Sequence, residues 1–176
     1  MTFLCRENSI ILRRARAGDG IRLALKLRRA DRLELASSFP EKTPQELLED
    51  FIAKSVFAVF AYEKEEPVFL GGLYPTVLLG KTACVWLLTG QRVERRKIAF
   101  VKMIRLLLGW LWALYPELYN FTDERYLPSL RLILRLGGVF NGESLSFRDT
   151  RFLYFTFRRK QWEESSKQRG KKPLPL

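Results

Sequence analysis

Residues 82–88, Thr-Ala-Cys-Val-Trp-Leu-Leu, carry no charge and almost no polar group. A strand that is apolar at both alternating positions cannot keep one face in water. It belongs inside a sheet that is covered on both sides. Residues 94–115 follow almost at once and repeat with a helical period. Ile98, Val101, Ile104, Leu108, Leu111 and Tyr115 mark a buried stripe, and Arg95, Lys97, Lys102 and Arg105 mark a polar face. Pro116 stops that helix. A central strand feeding a long amphipathic helix demands a layered α/β architecture.

The flanking segments fill in the order. Residues 9–14 read as an opening strand. Asp19 is a candidate N-cap for a helix over 20–30, with Ile21, Leu23, Ala24, Leu27 and Ala30 on one side. Residues 37–40 read as a loop. Thr43, Pro44 and Glu46 form a helix start, and that helix runs to about Lys54 with Leu47, Leu48, Phe51 and Ile52 inward. Residues 56–62 and 67–74 read as a hairpin turned by 63–66. A short strand at 118–121, a helix over 127–136 opened by Pro128, and strands at 139–140, 144–147 and 151–157 complete the chain. The expected order is β-α-α-β-β-β-α-β-α-β-β. Residues 1–159 read as one domain, and 160–176 as a basic polar tail.

Composition narrows the chemistry. The chain has 176 residues, long enough to build its own core. There is no histidine. That excludes a His general base, a Ser–His–Asp triad, a Cys–His dyad and His-containing metal sites. Cys5 and Cys84 are the only cysteines, so no zinc cluster or CxxC motif exists, and sequence alone leaves a single bridge between them open. A reducing compartment fits. The sequon at Asn120 carries no weight there. The apolar run at 106–116 is too short to span a bilayer. Arg6 and Glu7 interrupt any signal-peptide core.

The net charge is +12 and the pI about 10.0, which favours anionic partners. Basic blocks lie at 1–32, 92–105 and 148–172, and an acidic block at 34–66.

This element order resembles the GCN5-related N-acetyltransferase (GNAT) fold, and that resemblance implies an α/β (α+β sandwich) architecture in which a mixed, mostly antiparallel sheet is flanked by about four helices. The stretch from Tyr119 through Asp123 and Leu130 to Gly137, Gly138 and Phe140 is similar to the closing motif of that family. A narrower resemblance joins 27–34, Lys54-Ser55, 86–90 and the long basic helix to GNAT-like internal virion or assembly proteins of short-tailed phages. The family resemblance implies coenzyme A, with its pyrophosphate at the start of the long helix on a glycine-rich loop. The matching stretch here contains Gln91, Arg92, Arg95, Arg96 and Lys97, with bulky cations where the family has glycines. These side chains are candidate phosphate ligands in place of main-chain contacts. A solvated basic helix start, or a protein-interface patch, is the plainer alternative.

The resemblance also implies a carboxylate base on a central strand. Residues 69–74 and 83–88 contain none. Tyr74 and Tyr126 are candidate acids, better explained as packing groups. Asp31 and Glu34 sit among arginines and read as ion pairs. Trp86, Trp110 and Trp112 read as core. Arg158, Arg159, Lys160 and Trp162 form a candidate nucleic-acid or partner contact.

With glycines and base both missing, the resemblance to the phage proteins implies a virion or virion-assembly protein as the favoured expectation. It would be catalytically silent, need no cofactor, and contact other phage structural proteins and DNA in the host cytoplasm or the particle. The alternatives are an acetyl-coenzyme A-dependent N-acyltransferase with a degenerate pyrophosphate loop, and a salt-sensitive, non-specific nucleic-acid-binding module.

Overall fold

The computed structural model describes residues 3–75 and 80–159. The chain runs β1 (Phe3–Glu7), β2 (Ile10–Arg14), α1 (Asp19–Ala24), α2 (Arg29–Ser38), α3 (Pro44–Lys54), β3 (Phe57–Glu63), β4 (Glu66–Pro75) and β5 (Thr82–Thr89). A 3-10 turn (Gln91–Arg95) leads into α4 (Lys97–Leu114). Then come β6 (Glu117–Asp123), α5 (Leu127–Arg135), β7 (Val139–Phe147) and β8 (Thr150–Arg158). The strands form a single eight-stranded sheet in the order β1-β2-β3-β4-β5-β6-β8-β7. Among the described residues only β5 and β6 pair in parallel.

β3 and most of β4 are buried on both faces, and β5 packs on both sides while Cys84, Val85 and Leu87 stay half-buried. Ala83 joins Phe57, Val59, Phe69, Met103 and Leu111 in the core beneath α4 and α5. Trp86 and Leu88 point the other way, into a core shared with Leu23, Leu47, Leu48 and Phe60 beneath α1 and α3. Alternation along one strand thus feeds two separate cores. Cys5 and Cys84 are both free thiols. No helix among the described residues is long and apolar enough to cross a membrane.

Local signals explain several elements. Thr43 Oγ1 accepts from Glu46 N at 3.3 Å, and Glu46 Oε2 accepts from Thr43 N at 2.9 Å. This is a reciprocal capping box at the start of α3. Elsewhere the fold departs from the sequence expectations. The helix expected over 20–30 is broken into α1 and the start of α2, so the described chain has five helices. The break occurs because residues 26–28 pair with the end of β5. Arg28 N donates to Thr89 O, and Gln91 N donates to Lys26 O. Asp19 is not the cap of α1. Gly18 holds that position at φ 89, and the Asp19 carboxylate instead takes both guanidinium nitrogens of buried Arg13 at 2.6 Å. An additional strand, β1, precedes the expected first one. On α4 the buried stripe is rotated. Ala99, Phe100, Met103 and Leu107 face the core with Ile104, Leu108 and Leu111, while Ile98 is 77% exposed.

Gly72 sits where three strands crowd together. A Cβ there would meet Phe57 O at 2.6 Å and the Ala58 Cα at 3.1 Å. Its cross-strand neighbour Trp86 donates to Ser55 Oγ at 2.9 Å. Gly72→Ala should therefore cost roughly 1–3 kcal/mol through overpacking. Urea unfolding at pH 7 measures it, and an unchanged midpoint would refute the crowding.

Candidate active site

The parallel pair β5–β6 is joined over three residue pairs only: Thr82 with Glu117, Ala83 with Leu118, and Cys84 with Tyr119. Beyond them the strands diverge. Asn120 marks the fork. Its Nδ2 donates to Val85 O at 2.7 Å, and its Oδ1 accepts from Phe121 N at 2.7 Å. At the far end of β5 the opening is closed by the α1–α2 connection. Thr89 N donates to Asp31 Oδ1 at 3.0 Å, and Thr89 O accepts from Arg28 N. Main-chain groups of residues two apart point to the same strand edge. Val85 and Thr89 face the opening, so the N–H and C=O of Leu87, midway between them, face it too.

Two cavities meet at this fork. One, of about 140 Å³, lies between β5, β6, α4 and α5 and is lined by Leu87, Ile104, Leu108, Asn120 and Leu132 among others. The second, of about 470 Å³, lies on the α2–α3 side against Phe39, Phe51, Tyr74, Trp86 and Phe147. Glu34, Trp86, Leu87, Asn120 and Phe121 border both.

Glu34 is the ionisable group at the junction. It projects from α2 and is half-buried. Burial raises its carboxyl pKa to about 7, and the negative charges of Asp31 and Asp123 push in the same direction. The N–H of Asp123 and the charge of Arg28 oppose this more weakly. The two neighbouring acids are themselves engaged. Asp31 takes Arg28 Nε at 2.8 Å and Thr89 Oγ1 at 3.0 Å. Asp123 takes Arg125 Nη2 at 2.6 Å, and that bond holds its pKa below the usual range. So ion pairing accounts for Asp31, while Glu34 is left as the carboxylate poised to exchange a proton near neutrality.

The basic stretch before α4 is tied down by close packing and ion pairs. Gly90 packs closely, since a Cβ there would lie 2.7 Å from Pro67 O. Arg92 Nε donates to Glu63 Oε2 at 2.6 Å, and Arg96 Nη2 lies 2.7 Å from Glu63 Oε1. Ser9 completes this grip with a hydroxyl bond to the same carboxylate. Glu63 has no exposed surface. The paired cations, Arg96 first, hold its pKa down at about 2 against the effect of burial. Gln91, Arg95 and Lys97 are exposed around the start of α4.

Tyr74 is half-buried in the larger cavity, and burial raises its hydroxyl pKa so that it keeps its proton. Tyr126 lies under Arg28, with the guanidinium 5.6 Å from its ring centre, and burial raises its pKa as well. Cys84 at the base of the fork is pushed up to about 11 by burial, which makes it a poor thiolate nucleophile. Arg158 is exposed at the end of β8 and pairs with Glu117 at 2.8 Å, and Arg159 follows it at the surface. Lys160 and Trp162 lie outside the described residues.

Sequence reasoning expects Glu34, like Asp31, to be held in an ion pair; the structure sets it at the border of both cavities.

No protein-family model matches the sequence, and neither does any curated protein. Solved structures do match. One is the aminoglycoside acetyltransferase AAC(6′)-Ib in complex with ribostamycin and coenzyme A: TM-score 0.68, 17% identity, 89% of this chain and 97% of that one. A ribosomal-protein-S5-alanine acetyltransferase from Vibrio fischeri aligns with TM-score 0.67 at 13% identity, over 92% and 99% of the two chains. Spermidine N-acetyltransferase from Vibrio cholerae, in complex with coenzyme A and spermine, aligns with TM-score 0.67 at 12% identity, over 89% and 99%. The chain has a GNAT-like fold.

These neighbours overturn the expectation of a catalytically silent virion-assembly protein. They are acetyltransferases, and nothing among them ties the chain to a phage particle, to phage partners or to DNA. Residues 69–74 and 83–88 of the central strands hold no carboxylate, and Glu34 on α2 is the one that borders the fork among the described residues.

Proposed function

We propose that this protein is an acetyl-coenzyme A-dependent N-acyltransferase with Glu34 as its general base. The observation that carries the proposal is the position of Glu34. A carboxylate raised to about 7 borders both the narrow slot between the strands and the wider cavity beside it. A base with its pKa near the operating pH suits proton removal from an amine.

The slot suits the donor on the evidence of its edges. The Leu87 main chain offers one N–H and one C=O along an unpaired strand edge, the kind of edge that accepts an extended, amide-bearing chain by strand addition. Bound acetyl-coenzyme A would supply the thioester-activated acetyl group. The N–H of Leu87 is a fixed donor of the type that stabilises a developing oxyanion, which leaves its C=O for the amide-bearing chain. Ile104, Leu108 and Leu132 give that region an apolar wall. Among Gln91, Arg92, Arg95, Arg96 and Lys97, the phosphates would meet Arg95 and Lys97 first, because Arg92 and Arg96 are shared with Glu63.

Calorimetric titration of acetyl-coenzyme A into the full chain tests the reading. Saturable 1:1 binding is expected, and a flat trace at millimolar ligand would remove it. Arg95→Ala combined with Lys97→Ala should raise Kd about 10-fold or more at low salt, the loss of a charge-assisted phosphate contact. Unchanged affinity would move the phosphates elsewhere.

A further inference from the structure

The acceptor cavity has a composition that selects among amines. Phe51 is its hub. The Phe51 ring lies 5.3 Å from Trp86, 5.9 Å from Phe39 and 6.4 Å from Tyr74. On the opposite wall Leu145 and Phe147, from the edge strand β7, are 51% and 41% exposed and stand at the mouth. Among the described residues lining this cavity there is one carboxylate, Glu34, and no cation. The volume, about 470 Å³, is that of a small-molecule site.

We infer that the acceptor is a primary monoamine carried on an aromatic or branched apolar body. The inference rests on the acyltransferase reading and specifies its substrate class. A polyamine or aminoglycoside brings several ammonium groups. Each would lose its hydration against aromatic walls, and a single carboxylate compensates only one of them. The overall charge of +12 further disfavours a polycation. A lone amine at Glu34, with its carbon skeleton against Phe39, Phe51, Tyr74 and Trp86, leaves no charge stranded. Tyr74 supplies one hydroxyl for orientation. The same chemistry is offered by a free arylalkylamine and by a polypeptide N-terminus that begins with an aromatic residue.

The test measures acetyl transfer by the full chain to four amines, with free thiol release as readout. They are phenethylamine, phenylalanyl-glycine amide, spermidine and kanamycin. At least one aromatic amine is expected to exceed both polycations in kcat/KM by about 50-fold or more, the scale of discrimination an apolar pocket gives. Which of the two leads separates the free amine from the peptide terminus. Phe147→Asp at the exposed mouth should narrow this preference about 10-fold or more by adding a second carboxylate and removing a ring. The wild-type panel decides the matter if that variant does not fold.

Preferential acetylation of spermidine or kanamycin would overturn the inference and leave the acyltransferase reading intact. So would acetyl-coenzyme A binding with no turnover of either aromatic amine. If acetyl-coenzyme A does not bind, the enzyme reading falls. Phenethylamine binding to the cofactor-free chain then decides the cavity's preference. Binding at least about 10-fold tighter than spermidine upholds it, and weaker binding overturns it.

Discussion

Glu34→Gln should lower kcat/KM for amine acetylation by about 10²–10⁴-fold, the usual contribution of a positioned general base. Acetyl-coenzyme A affinity should change little, since Glu34 stands where the two cavities join and not at the phosphate end. The wild-type pH–rate profile should carry a limb that rises with pH through about 7, where burial and the neighbouring Asp31 and Asp123 charges place the Glu34 carboxyl. The variant should lack that limb. A variant retaining both rate and limb would remove Glu34 from the mechanism.

Stability should move the other way. A carboxyl raised above its unfolded value binds a proton more tightly in the folded state, so stability falls as pH rises from about 4.5 to about 7. The glutamine variant is spared that loss. It should be more stable than wild type by about 1–3 kcal/mol at pH 8, and equal to it near pH 4. Urea unfolding at the two pH values reads both. Equal differences at both pH values would mean that the carboxyl is not desolvated.

The second large effect is expected at Glu63. Glu63→Gln removes the buried charge that Arg92, Arg96 and Ser9 share, and leaves two guanidiniums facing an uncharged amide. Breaking a buried pair from one side costs about 3–5 kcal/mol, and the partial exposure of both arginines places this case at about 3 kcal/mol. The pH dependence has the opposite sign from that of Glu34. A carboxyl held down at about 2 contributes its full stability above about 4.5 and loses it as pH falls towards 2. The gap between wild type and variant should therefore close with acid. Chemical denaturation from pH 7 to pH 3 would show it, and a gap independent of pH would assign the loss to packing. The same substitution should weaken acetyl-coenzyme A binding, because the turn before α4 loses its anchor.

The elements that sequence made legible are those whose cause is local. The apolar run of β5 and its helix α4 follow from composition and period. The start of α3 follows from Thr43, Pro44 and Glu46, and the structure has that capping box. The misread elements are those set by distant partners. The helical period over 20–30 is genuine, but the bonds from Lys26 and Arg28 to the end of β5 outweigh it. Glu63 reads as a turn residue beside Lys64, Glu65 and Glu66, yet it is fully buried because Arg92 and Arg96 reach it from 29 and 33 positions away. Those arginines read as solvated cations or candidate phosphate ligands for the same reason. Glu34 follows Arg28, Arg29 and Arg32 closely in the chain, and so reads as surface ion pairing. Its raised pKa comes from desolvation at a junction that exists only after β5 and β6 have parted.

Leu87 contributes to the fork through its main chain, which separates its role from its side-chain identity. An alanine scan across the site would pass over it, registering at most a change in packing. Replacement of its amide by an ester, which deletes the hydrogen while keeping the leucine, is the substitution that addresses what this position offers. A comparison of amino-acid identities between proteins built this way would be blind to the same group, because every residue except proline supplies it.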